Sequence, residues 1–198
     1  MLITEREKLL QRTSEYLSIG ITEDGSPRSV VGVPWEMTAT AFNMRIPDIY
    51  LSPEDLTDDT LMAEISGYRV IGCYIYAPLL DYSFLSRFTE LQDLSISRGD
   101  SIRDLSFLEG LSECRMLFLQ NAKLENLDVL LDEKSHCKSS VFGCYKCVAL
   151  HGCEVKDISR LERERFFFTE FLVWGTASDR ERWKVVSAGK ARYFSMED

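Results

Sequence analysis

A triad of apolar residues in the spacing apolar-x-x-apolar-x-apolar recurs along this chain in nearly constant register. Tyr68, Ile71 and Cys73 form one copy; Leu91, Leu94 and Ile96 the next; then Cys114, Leu117 and Leu119; Tyr145, Val148 and Leu150; and Phe168, Phe171 and Val173. The steps between copies are 23, 23, 31 and 23 residues. Apolar residues two apart lie on one face of an extended strand. One such copy cannot bury that face by itself, so copies at a fixed step must stack, which aligns their strands in a parallel sheet around a continuous core.

A second element travels with the first. Leu79-Leu80-Asp81-Tyr82-Ser83-Phe84-Leu85 is matched by Ile102-Arg103-Asp104-Leu105-Ser106-Phe107-Leu108, more loosely by Leu124-Glu125-Asn126-Leu127-Asp128-Val129-Leu130, and again by Val155-Lys156-Asp157-Ile158-Ser159-Arg160-Leu161. The shared form is aliphatic-x-Asp-aliphatic-Ser-x-Leu, relaxed at Tyr82 and in the third copy. Asp and Ser at these places are suited to accepting bonds from backbone N–H groups at the start of a short turn, so a capping role is expected rather than acid catalysis.

Cys114-Arg-Met-Leu117-Phe-Leu119-Gln-Asn-Ala-Lys-Leu124 and Tyr145-Lys-Cys-Val148-Ala-Leu150-His-Gly-Cys153-Glu-Val155 carry the resemblance to a known family. They are similar to the leucine-rich repeat segment L-x-x-L-x-L-x-x-N/C-x-L, with Cys153 at the Asn/Cys place and Ala122 departing from it. The short repeat and the Asp-x-Ser element look most like the bacterial, internalin-type subclass, over about residues 68–173. The resemblance implies an α/β solenoid of about five repeats, with a parallel sheet on the concave face and short 3₁₀ or helical segments on the convex side. It also implies a non-catalytic module that binds a protein through the concave face. Carried onto this sequence, the outward strand positions are Val70, Gly72 and Tyr74; Asp93, Ser95 and Ser97; Met116, Phe118 and Gln120; Cys147, Ala149 and His151; and Glu170, Leu172 and Trp174. The partner-binding candidates among them are Tyr74, Met116, Phe118, His151, Leu172 and Trp174, whose aromatic, sulfur and aliphatic character suits an interface core.

Three regions follow. Residues 1–66 form an expected acidic N-terminal α/β cap, with 12 acidic and 5 basic side chains. Thr4-Glu5-Arg6-Glu7 reads as a capping box opening a helix from about Glu5 to Leu17. Val30–Val33 and Met44–Leu51 read as extended, the latter as a degenerate first repeat. Ser52-Pro53-Glu54-Asp55 opens a helix that continues through Ile65. Residues 67–176 hold the repeats, with an insertion near 131–143 accounting for the long step and expected to bulge on the surface. Residues 177–198 are expected to close the open end as a β-hairpin, Trp183–Ser187 against Ala191–Phe194, with Gly189 in the turn.

Composition narrows the function classes. Of the 198 residues 45% are hydrophobic and the net charge is −9, a globular profile with no basic surplus for nucleic-acid phosphates. No run approaches the length of a spanning helix, and the charged N-terminus lacks the apolar stretch of a secretory signal, so a cytoplasmic protein with reduced thiols and no membrane or nucleic-acid partner is expected.

The densest chemical cluster is His136, Cys137, Cys144, Cys147, His151 and Cys153. Cys144-x-x-Cys147 has zinc-ligand spacing. Against a metal, Cys153 falls at the inward repeat position while Cys147 and His151 point to the opposite face. Four residues of strand hold those two roughly 13 Å apart, too far to ligate one ion or to act as a nucleophile–base pair. A metal site from His136, Cys137, Cys144 and Cys147 requires the insertion to fold back. No phosphate-binding loop, dinucleotide fingerprint, nucleophile elbow or zinc-protease motif is present. The expectation is therefore no cofactor and no enzyme; the alternative is an enzyme or metal-binding protein using segment 136–153 or the N-terminal cap.

Overall fold

In a computed structural model, the described residues are 9, 12, 14–27, 47–131, 145–160, 168–174 and 191–197, with the backbone alone described at 145–146, 168–174 and 191–197. The architecture is mixed α/β, dominated by one parallel sheet. Its strands are β1 (Tyr16–Ile21), β2 (Ile49–Leu51), β3 (Arg69–Ile75), β4 (Asp93–Ile96), β5 (Met116–Gln120), β7 (Tyr145–His151), β9 (Phe168–Trp174) and β10 (Ala191–Glu197). Two further strands, β6 (Lys123–Asn126) and β8 (Glu154–Asp157), pair in parallel as a small second sheet. The large sheet runs β10-β9-β7-β5-β4-β3-β1-β2, every pair parallel.

From β3 onward the strands lie side by side in chain order, and the pairing follows the sequence step. Leu94 stands opposite Leu117, Leu117 opposite Val148, and Val148 opposite Phe171. Cys73, Leu94, Ile96, Leu117, Leu119, Val148 and Leu150 sit in one buried core, joined from the connecting segments by Leu85, Leu105, Leu108, Leu127 and Leu130. Each buried aliphatic side chain of this kind stabilises the fold by about 1.5–3 kcal/mol over leaving it in water.

The connections are short 3₁₀ turns at Ser83–Arg87, Ser106–Leu108 and Asp128–Leu130. Their geometry repeats as the sequence does. Asp81 accepts the Ser83 N–H at 2.8 Å, Asp104 the Ser106 N–H at 2.9 Å, Asn126 the Asp128 N–H at 3.0 Å, and Asp157 the Ser159 N–H at 2.8 Å. One residue on, Tyr82, Leu105 and Leu127 lend their carbonyls to Leu85, Leu108 and Leu130. A side chain that satisfies a backbone N–H two residues ahead substitutes for a missing turn of helix.

The N-terminal region departs from expectation in three places. Tyr16–Ile21 is a strand, so the helix expected to run through Leu17 stops short of Tyr16. The reason is the period of two in Leu17, Ile19 and Ile21, all fully buried, alternating with Ser18 and Gly20. Ile49–Leu51, within the segment expected to be extended as a degenerate first repeat, is a strand out of chain order, on the outer side of β1, with β1 between it and β3. Asp48 fixes that arrangement: its carboxylate accepts the Ser18 N–H at 2.7 Å, its own N–H donates to the Ser18 carbonyl at 2.8 Å, and Arg12 reaches the same carboxylate at 2.9 Å. The helix expected from Pro53 to Ile65 is two pieces, a 3₁₀ turn at Asp55–Thr57 and helix α1 (Asp59–Ser66). Asp58 interrupts them because its carboxylate takes the N–H groups of Thr60 and Leu61, which holds its own backbone extended. Val30–Val33, the Thr4–Glu7 box and the insertion from 132 onward lie outside the described residues.

Two register details also differ. A bulge in β3 skips Ile71, pairing Leu17 with Val70 and Ser18 with Gly72, so Val70 turns into the core instead of outward. At the far end, Ala191–Glu197 is a strand that pairs in parallel with β9, Ala191 opposite Phe168, Phe194 opposite Phe171 and Met196 opposite Val173. Ala191, Phe194 and Met196 reproduce the apolar-x-x-apolar-x-apolar spacing a further 23 residues on, which is why the strand joins in that direction. Trp183–Ser187 lies outside the described residues. Among the described residues no helix is long and apolar enough to cross a membrane.

Candidate functional site

The sheet face opposite the repeat core is built from rows that run across the strands. The central row is Tyr50, Gly20, Tyr74, Ser95, Phe118, Ala149, Leu172 and Ser195, each opposite the next. Large and small residues alternate along it without exception. Strands stand about 4.8 Å apart, so a ring between two small neighbours has room to tip over them. The Tyr50 ring does so on Gly20, where an added Cβ would stand 2.8 Å from Cδ1, and the Tyr74 ring lies back along its own strand onto Gly72.

This packing changes the standing of two candidates. Tyr74 and Phe118 occupy the expected face but are 2% and 4% exposed, so neither is available to a partner as an open contact. Single-strand reading assigns the face correctly and misses the burial, which depends on the size of neighbours one strand away. Between them, the buried Ser95 hydroxyl has no hydrogen-bond partner among the described residues.

The rows on either side of this floor are more open. Asp93, Met116 and Cys147 stand in register on one side, Gln120 and His151 on the other, and all five are half-buried. The backbone positions of Leu172 and Trp174 continue the face, opposite Ala149 and His151. Of the six expected residues, Met116 and His151 are thus partly accessible. Burial holds the His151 imidazole below its ordinary pKa, favouring the neutral ring.

The thiols divide by face. Cys73, Cys114 and Cys153 are buried in the repeat core, with the Cys153 thiol donating to the Leu119 carbonyl at 3.2 Å and burial raising its pKa to about 11. Cys147 lies on the half-open face. His136, Cys137 and Cys144, the other members of the alternative metal set, lie outside the described residues. Among the described residues, no group of three His, Cys, Asp or Glu side chains comes together as a metal site.

A second feature lies on the opposite side of the core, where the connecting turns pack. Two hollows of ≈ 520 and ≈ 600 Å³ adjoin there and share Leu80 as their dividing ridge. Leu80 is 95% exposed. Aligning the copies of the second element shows what was there to be read: the place of Leu80 is held by Arg103, Glu125 and Lys156 in the others, and that of Tyr82 by Leu105, Leu127 and Ile158. Compared with known proteins, the chain matches no family model, no curated protein and no solved structure.

Proposed function

We propose that this chain is a non-catalytic recognition module, a cytoplasmic leucine-rich-repeat solenoid of the short, internalin-like kind that binds a partner protein through its concave sheet face. The observation supporting this reading is the half-open patch of Met116, Cys147, Gln120 and His151, held in register over a floor closed by Tyr74 and Phe118. A rigid apolar floor with a partly exposed rim of mixed chemistry is the composition of a protein interface. Leu172 and Trp174 extend the patch by their place in the register.

The test compares wild-type bait with a Met116→Glu, His151→Glu double variant in a quantitative affinity capture, with matched thermal melts to verify folding. Both positions are partly exposed, so the variant spares the buried floor that a change at Phe118 would disrupt. Specific partners recovered by wild type and lost from the folded variant support the concave face; unchanged recovery rejects it.

A further inference from the structure

We infer that the Leu80 ridge and its flanking hollows form a second docking surface, on the side away from the sheet face, for a basic peptide segment of a partner protein that carries an apolar anchor residue.

The first argument is the departure of one copy from the others at two places that both serve this surface. Arg103, Glu125 and Lys156 keep the outer position polar in three copies, and Glu125 and Lys156 pair with each other at 2.6 Å. Leu80 breaks that row with an apolar side chain left in water, where the two hollows adjoin. Tyr82 puts a phenol where the other copies bury an aliphatic side chain. It lines the first hollow beside Phe107, ring centroids 5.3 Å apart, and is 7% exposed. Its hydroxyl is enclosed beside Ser101, which donates to the Leu79 carbonyl.

The second argument is charge. Asp81, Asp104 and Glu109 line the same hollow, and none of them makes an ion pair among the described residues. Asp81 and Asp104 each accept from a serine two residues on, bonds that lower both carboxyl pKa values. Of the two bases in the linings, Arg103 is turned onto the carbonyls of Asp100 and Ile102, and Arg87 pairs with Asp59 at 3.0 Å. An exposed leucine with carboxylates along one flank complements lysine or arginine beside an apolar residue. A second copy of this chain, with its net charge of −9, is disfavoured by repulsion.

The probe is a fluorescein-labelled synthetic peptide of lysine, leucine and serine. Two counterparts carry glutamine or glutamate for lysine, and anisotropy is read on the full chain. The lysine peptide is expected to bind at least tenfold tighter than the glutamine form and to weaken as salt rises. Leu80→Arg, which restores the polarity of the other copies, should weaken it at least tenfold. The triple variant Asp81→Asn, Asp104→Asn, Glu109→Gln keeps the capping acceptors and should abolish the preference for lysine. Leu80→Arg should melt as wild type, and the triple variant should melt lower but remain folded at the assay temperature. No binding by the lysine peptide, equal binding of all three peptides, binding that survives Leu80→Arg, or capture by neutral phosphatidylcholine vesicles in preference to the peptide would each overturn the proposal. The Met116→Glu, His151→Glu variant should bind the peptide normally, which separates this surface from the concave one.

Discussion

The Tyr50 ring rests against Gly20 so closely that a methyl group on that glycine would stand 2.8 Å from ring Cδ1 and 3.0 Å from Pro47 Cγ. Gly20 is thus required by its neighbours, not by its backbone. Gly20→Ala should cost about 1–3 kcal/mol through overpacking. Adding Tyr50→Ala should return part of that loss, giving a coupling of about 1 kcal/mol in a double-mutant cycle read by urea unfolding.

The Asp-x-Ser turns make stability depend on pH in a defined direction. Hydrogen bonds from Ser83 and Ser106 lower the carboxyl pKa values of Asp81 and Asp104. A carboxyl depressed in the folded state contributes stability above its unfolded value of about 3.9, and that contribution is lost as pH falls through the lower folded value. Urea midpoints should hold steady from about pH 7 to 5 and decline below about 4. The Asp81→Asn, Asp104→Asn double variant should show a shallower decline.

The same turn separates charge from hydrogen bonding. Asp104→Ala removes the acceptor of the Ser106 N–H and should cost about 1 kcal/mol. Asp104→Asn retains an acceptor and should cost less, again measured by urea denaturation.

Thiol labelling should follow the two faces of the sheet. Burial raises the pKa of Cys73 and Cys153, so neither offers an appreciable thiolate near neutrality. Iodoacetamide at about pH 8 should modify Cys147 in the native protein and reach Cys73 and Cys153 only after unfolding. Peptide mass spectrometry on native and urea-treated samples gives the comparison.

Lys156 and Glu125 bridge successive copies on the outer surface at 2.6 Å, both side chains largely in solvent. Their coupling should be below about 1 kcal/mol and fall with added salt, unlike the coupling of Tyr50 with Gly20. A double-mutant cycle at low and high salt distinguishes the two.

The repeat spacing made the core positions from Leu91 to Leu150 legible, because period and register are written in residues a fixed step apart. The Asp81, Asp104 and Asp157 turns were legible for the same reason: each bond closes within two residues. What escaped reading depends on residues far apart in the chain. The pairing of Tyr16–Ile21 with β3 spans about fifty residues and overrides a helical reading that local charge pattern favoured. The burial of Tyr74 and Phe118 depends on Gly20, Ser95 and Ala149 in neighbouring strands. Ala191–Phe194 was legible as an extended segment covering the last open strand, but Ala191 is too small to announce the first place of a further triad.

The position of β1 between β2 and β3 gives the two ends of the sheet different mechanical character. At the β10 end, strands should detach in reverse order of synthesis, each held on one side once its neighbour has gone. At the other end, β1 is gripped on both flanks and tied through Asp48 to the segment entering β2, so it cannot peel away without breaking two ladders together. A chain stretched between its termini should therefore yield in steps from the C-terminal side, with the N-terminal clasp the last part to give way. During translation the order is mirrored: β1 leaves the ribosome first, yet its second ladder must wait until β3 has emerged.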